Sequence, residues 1–173
     1  MAETKNVYIL RDVSASKVRT GKADIELRNG DIVAIGAKVD GVYTLTAPVA
    51  ASGSGESAVP ATKRFGIVYN ADVVTEANKY RGLSDDPRDV VFKAGTIVNF
   101  YIPEEEDEIA VTVAAGYDAK TSKVLVPTIG ETGYTAKATA AATDYLVYEI
   151  THESFVSIGN ERVKTIEAVC TLA

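Results

Sequence analysis

The chain has no tryptophan, one cysteine, one histidine and one methionine among its 173 residues, and each scarcity removes a kind of chemistry. With Cys170 alone there is no intrachain disulfide, no zinc cage and no Cys-X-X-Cys redox pair. His152 is the sole imidazole, so a His-Glu-X-X-His metal site is excluded and any Ser/His/acid triad would have to use this residue. Glu149, Glu153 and Ser154 lie near it in sequence, but neighbours on a strand point to opposite faces, and His152 reads as a polar residue of a turn. Without tryptophan the chain lacks the usual aromatic platform for sugars, and tyrosines such as Tyr43, Tyr101 and Tyr117 read as core or interface.

Positive charge is also short: 18 Lys and Arg against 24 Asp and Glu leave a net charge of −6. Nucleic-acid binding rests on clustered cations facing phosphates, so no nucleic-acid partner is expected. Long apolar runs are missing too. Val7-Tyr8-Ile9-Leu10 ends at Arg11-Asp12, too short for a signal peptide or for a span of about 18 residues, so neither export nor a membrane partner is expected. Gly53-Ser54-Gly55 has no following Lys-Ser/Thr pair and reads as a surface loop, not a phosphate cradle. No cofactor, metal or catalytic group is therefore expected.

What is present is a core. The composition is 46% hydrophobic and 24% charged, an ordinary globular balance, and the length suits one domain of roughly 100–200 residues. Residues 1–173 are expected to form a single β-rich domain, with 1–10 as an N-terminal arm and 117–173 as a second lobe. The densest β-branched and aromatic stretch is Asp89 to Pro103, which reads as strand, turn at Lys93-Ala94-Gly95, strand and stop. Asn29-Gly30 predicts a hairpin joining Ala23–Arg28 to Asp31–Ile35. Val73, Val74, Ala77 and Tyr80, ahead of Gly82, predict one short helix over 71–81. Lys123–Pro127, Tyr145–Ile150, Ser154–Ile158 and Arg162–Cys170 read as further strands. The last has no cleanly apolar face, as at an edge or an intersubunit surface. About ten short strands punctuated by Gly, Asn and Pro predict a mainly β fold, a small antiparallel β-barrel or sandwich with one short helix.

Two segments stand out as contact candidates. Val7, Tyr8, Ile9 and Leu10 suit an arm that pairs with the body or with a neighbour. Glu104, Glu105, Glu106, Asp107 and Glu108 read as the solvated tip of a hairpin between Ile97–Ile102 and Ile109–Ala115, suited to a basic partner. The acidic residues are consecutive with no glycine among them, unlike a calcium-binding EF-hand loop.

Arg28-Asn29-Gly30-Asp31-Ile32-Val33-Ala34-Ile35, followed by Gly41-Val42-Tyr43-Thr44-Leu45 and Phe65-Gly66-Ile67-Val68-Tyr69, resembles small β-rich phage virion proteins, in particular capsid decoration or cement proteins. Phe92-Lys93-Ala94-Gly95-Thr96-Ile97-Val98 resembles a later strand pair of the same barrel. The resemblance covers residues 20–115. It implies a non-enzymatic structural protein that binds the outer surface of an assembled capsid and stabilises it. It further implies the major capsid protein as partner, self-association into a homo-oligomer, and a place on the virion after assembly in the host cytoplasm. A phage tail-tube or head-completion protein has the same sequence character, and a carbohydrate- or surface-binding β-sandwich module is the alternative of another class.

Overall fold

The computed structural model describes residues 8–10, 15–53, 59–69, 90–112, 114–158 and 160–172. The fold is mainly β, as the many short strands punctuated by turn residues predict, and its centre is a closed five-stranded barrel. Its strands are β2 (Val18–Ala23), β3 (Ile32–Val39), β4 (Val42–Thr46), β7 (Phe65–Val68) and β8 (Ile97–Tyr101), in the order β2-β4-β3-β7-β8. All pairs are antiparallel except β2 with β4. A short 3-10 turn, Ala15–Lys17, leads into β2. Two short strands, β5 (Ala50–Ser52) and β6 (Val59–Pro60), pair separately.

Beside the barrel lies a six-stranded sheet, ordered β1-β9-β13-β12-β10-β11. Its members are β1 (Tyr8–Leu10), β9 (Glu108–Val111), β10 (Val124–Pro127), β11 (Tyr134–Lys137), β12 (Val147–Ile158) and β13 (Glu161–Leu172). Ala115 covers the outer edge of β11: its N–H donates to Tyr134 O at 2.7 Å and its carbonyl accepts from Ala136 N at 2.8 Å. The predicted helix over 71–81 lies outside the described residues.

The period of two explains how one barrel wall serves two cores. Val33, Ile35, Leu45, Val68, Val98 and Phe100 point inward, and Leu27 and Phe92 join the same cluster. Leu27 and Phe92 also exchange backbone hydrogen bonds at 2.9 and 2.8 Å outside any named strand. The intervening residues Ile32, Phe65 and Ile67 point outward and pack against Ile109, Leu125, Tyr148 and Ile166 of the sheet. Two glycines let the interior close. A Cβ on Gly66 would come within 2.6 Å of the Phe100 ring, and one on Gly21 within 2.6 Å of the Leu45 side chain.

Several sequence expectations change. Asn29-Gly30 does turn the chain, with Asp31 N–H donating to Arg28 O at 3.2 Å, but its arms diverge: Leu27 bridges Phe92, while Ile32 pairs with Ile67. Only Gly30 takes a positive φ there (90°), whereas the hairpin-forming type I′ turn needs two. That geometry occurs at Asp40 (φ 50°) and Gly41 (φ 86°), which join β3 to β4 as a true hairpin.

Second, the acidic run is no hairpin tip. β8 pairs with β2 and β7 in the barrel, and β9 pairs with β1 and β13 in the sheet, so residues 102–107 form a crossover between the two. Third, β13 is not an edge strand. It lies between β9 and β12, and Thr165, Ile166, Glu167 and Ala168 are all buried, so both of its faces are covered there. The expected separate strands Tyr145–Ile150 and Ser154–Ile158 join from Val147 on into one twelve-residue strand, β12, with Tyr145 and Leu146 before it, and His152 is on that strand and not in a turn.

Candidate functional site

The acidic crossover is built around one side chain. Pro103 ends the run that follows β8, and the next residues turn tightly, with Asp107 N–H donating to Glu104 O at 3.2 Å. Asp107 is drawn inward, its side chain 9% exposed. Its Oδ1 takes a hydrogen bond from Lys17 Nζ at 3.0 Å, while Oδ2 accepts from the Tyr101 hydroxyl and from Glu104 N–H at 2.6 Å. Three donors therefore satisfy one carboxylate, the condition under which a poorly hydrated carboxylate is tolerated.

Lys17 also meets Glu104 Oε2 at 2.9 Å and sits 5.8 Å from the Tyr101 ring centroid. The bonds to Glu104 and then Asp107 raise the Lys17 pKa, so its charge is held well beyond neutral pH. Burial, then the bond to Asp107, pushes the Tyr101 phenol up as well, and it stays a neutral donor. Backbone bonds finish the joint: Glu106 N–H to Cys170 O and Cys170 N–H to Asp107 O, both 2.8 Å, tie the crossover to β13. Burial raises the Cys170 thiol to about 11, so this cysteine is a packed side chain and not a ready nucleophile.

The five acidic residues thus divide by role. Asp107 is a fastener and Glu104 is shared with Lys17 while remaining 61% exposed. Glu105 and Glu106 are exposed on the turn, and Glu106 takes the left-handed region with φ 73°. Glu108 opens β9 opposite Val169. The other candidate segment lies close by. Tyr8, Ile9 and Leu10 pair with Val111, Ala110 and Ile109, so Leu10 ends beside the residue that follows Glu108. Val7 lies outside the described residues. An outer sheet edge and an acidic turn therefore share one corner of the molecule.

Other features carry no sequence motif. Next to the same crossover, a cavity of about 150 Å³ is walled by Ile35, Phe65, Ile102, Pro103 and Leu146, with Lys63 and Arg64 on its rim. A second, of about 230 Å³, shares Phe65 and Tyr145 with it and reaches Lys137, whose Nζ pairs with Asp144 Oδ1 at 2.9 Å. Lys63 Nζ sits 4.7 Å from the Tyr145 ring centroid, and Arg64 and Lys38 each sit 5.4 Å from that of Tyr43. This groove crosses the junction of barrel and sheet, and no local pattern announces it because its walls come from separate parts of the chain, at Ile35, Lys63–Phe65, Ile102–Pro103 and Tyr145–Leu146.

The far half of the β12–β13 pair forms a ribbon. β10 pairs with β12 only at Tyr148 and Glu149, and β9 pairs with β13 only from Ile166 to Val169, so the ladder from Ser154–Thr165 to Ile158–Glu161 has no further strand on either side among the described residues. Phe155 is 52% exposed there, with the Arg162 guanidinium 4.3 Å from its ring centroid. At the base of the ribbon His152 Nε2 faces Glu167 Oε2 at 3.1 Å. Tyr117 donates to Glu153 Oε1 at 2.9 Å, and Lys164 Nζ reaches the same oxygen at 2.6 Å. Lys164, then Tyr117, lowers the Glu153 pKa, and desolvation followed by that carboxylate pushes the Tyr117 phenol up to about 12. These are fastenings of a strand pair. No group of three or more His, Cys, Asp or Glu side chains suited to a metal ion occurs among the described residues.

No family model matches this chain, and no curated protein matches it in sequence.

Proposed function

We propose that this chain is a structural phage protein that binds the outer surface of an assembled capsid and stabilises it. The observation that supports this reading is the corner where β1 forms the outer edge of the six-stranded sheet beside the Glu104–Glu106 turn. An open strand edge offers main-chain donors and acceptors to an added strand, and carboxylates beside it select a basic partner surface. A capsid repeats one such surface many times, so contacts weak in isolation accumulate through symmetry. The described ion pairs serve this role as fasteners that hold the corner rigid: Lys17 and Tyr101 fix Asp107 and thereby the turn. Purified protein is expected to rebind capsids stripped of their decoration in a saturable ratio. Absence of binding at micromolar concentration rejects the reading.

A tail-tube or head-completion protein is the second reading, and the ribbon from Ser154–Thr165 to Ile158–Glu161 favours it. A two-stranded ribbon is marginal by itself and gains stability by lying on a neighbour, as in a ring of subunits. Rings or tubes of the purified chain in electron micrographs, without capsid binding, select this reading over the first.

A further inference from the structure

We propose that two copies of this chain associate about a two-fold axis beside Pro103, each placing its Glu105–Glu106 turn on the Lys63–Arg64 rim of the other's groove. The contact occupies the same Glu105–Glu106 turn that the capsid reading gives to a basic surface, leaving that reading the β1 edge, and it is tested on the chain alone. It starts from the groove, whose wall is apolar at Ile35, Phe65, Ile102, Pro103 and Leu146 and whose rim is cationic. Lys63 and Arg64 are exposed, and no carboxylate pairs with either among the described residues. Each is instead held against a tyrosine face, Lys63 on Tyr145 and Arg64 on Tyr43, so the rim is positioned before any partner arrives.

A chain of net charge −6 that keeps two exposed, pre-positioned cations with no carboxylate partner among the described residues presents a surface for an acidic segment. The same molecule carries one next door. Ile102 and Pro103 line the groove and Glu104 opens the turn, so the cationic rim and the acidic turn flank one short stretch of chain. Glu104 is engaged by Lys17, which leaves Glu105 and Glu106 exposed. Two adjacent patches of opposite sign are self-complementary under a two-fold rotation: the acid of each copy meets the base of the other. The net charges of the two copies repel, but that repulsion acts over longer distances and is screened first.

The test is the mass of the full chain in solution, by light scattering or sedimentation, at high micromolar protein. Measurements at about 0.1 M and about 1 M ionic strength bracket screening lengths of about 10 Å and about 3 Å. A dimer at the lower salt that weakens at least about tenfold at the higher is expected. K63E/R64E alone and E105K/E106K alone are each expected to be monomeric, with a melting temperature near that of the parent, since all four side chains are exposed. An equimolar mixture of the two is expected to recover a dimer containing one of each, because both contacts are then made between opposite charges. Recovery also shows that each variant is folded. A wild-type monomer at both salts, reversed variants that remain dimeric, a mixture that stays monomeric, or a trimer or larger ring each overturns the proposal.

Discussion

The barrel and the six-stranded sheet use the same residue types to opposite ends. In the barrel every strand has two neighbours, so no backbone edge is left and the interior is a closed set of contacts among side chains such as Leu27, Leu45 and Phe100, each fully buried. The sheet keeps an outer edge at β1 and extends its two longest strands past their neighbours into a ribbon. Closure removes the sites at which another chain can add, and an open sheet retains them. The barrel is accordingly the scaffold, and the proposed contact surfaces lie on the sheet and along its junction with the barrel.

The sharpest way to break this comparison is to truncate a buried ring in the barrel. Phe100 is fully buried, meets Tyr43 edge-on with centroids 5.8 Å apart, and fills the space that Gly66 leaves open. F100A is expected to cost about 3–5 kcal/mol, read as a lowered urea midpoint at unchanged slope. A loss below about 1 kcal/mol would mean that the barrel is not the stability centre.

A smaller effect sharpens how the two parts are joined. Asp31 lies at the junction, where its carboxylate accepts from Arg28 N–H at 2.7 Å, Ile32 N–H donates to Thr132 O at 2.8 Å, and the Tyr134 hydroxyl donates to Gly30 O at 3.2 Å. Burial raises the Asp31 pKa from 3.8 to about 6, against the hydrogen bonds from Arg28 and Thr132 that lower it. The folded chain therefore holds this proton more tightly than the unfolded chain. The Asp31 contribution is most favourable below the ordinary pKa, falls as pH rises from about 4 to about 6, and is level above that. D31N keeps an acceptor without the charge. It is expected to raise stability at pH 7 by about 1–3 kcal/mol and to remove that part of the slope in melting temperature against pH. A slope unchanged in D31N assigns the titration to another group.

Deleting residues 1–10 tests the edge itself. β1 makes only three residue pairs with β9, so the deletion is expected to cost no more than about 1–2 kcal/mol and to leave the circular dichroism of the body unchanged. Capsid rebinding is expected to weaken more than stability does, because β9 becomes a new and different edge. Global unfolding would make β1 an integral strand and would withdraw it from the contact surface.

Residues 29–41 show how far the sequence was legible. The short apolar runs Ile32–Ile35 and Phe65–Val68 marked both strands, and the fold class followed from many such segments bounded by turn residues. Asn29-Gly30 was the expected hairpin turn, yet it is Asp40-Gly41 that takes two positive φ angles. A dipeptide states what a turn tolerates, while the partner of each arm is set by which apolar faces must be covered, and that is a property of the whole chain. The acidic run failed for the same reason. Five consecutive carboxylates read as solvent-facing, but Lys17 and Tyr101, 90 and 6 residues away from Asp107, supply the donors that turn it inward. The pairing of Lys63 with Tyr145 and of Arg64 with Tyr43 is equally non-local and left no trace in the sequence pattern.

The smallest expected effect is also the most discriminating between the two regions. Phe155 belongs to the same residue type as Phe100 and also sits on a β-strand, but it is 52% exposed and its described ring contact is the Arg162 guanidinium across the ribbon. An exposed cation–π contact is worth about 0.5–1 kcal/mol, so F155A is expected to shift the global urea midpoint by no more than that, several-fold less than F100A. Its effect should be local: amide exchange is expected to quicken in the ribbon from Ser154–Thr165 to Ile158–Glu161 while the protection of β3, β7 and β8 is unchanged, because the ribbon opens without the barrel. If F155A instead destabilises the whole chain as F100A does, the ribbon is part of the cooperative core, and the division between a closed scaffold and an open, extending sheet fails.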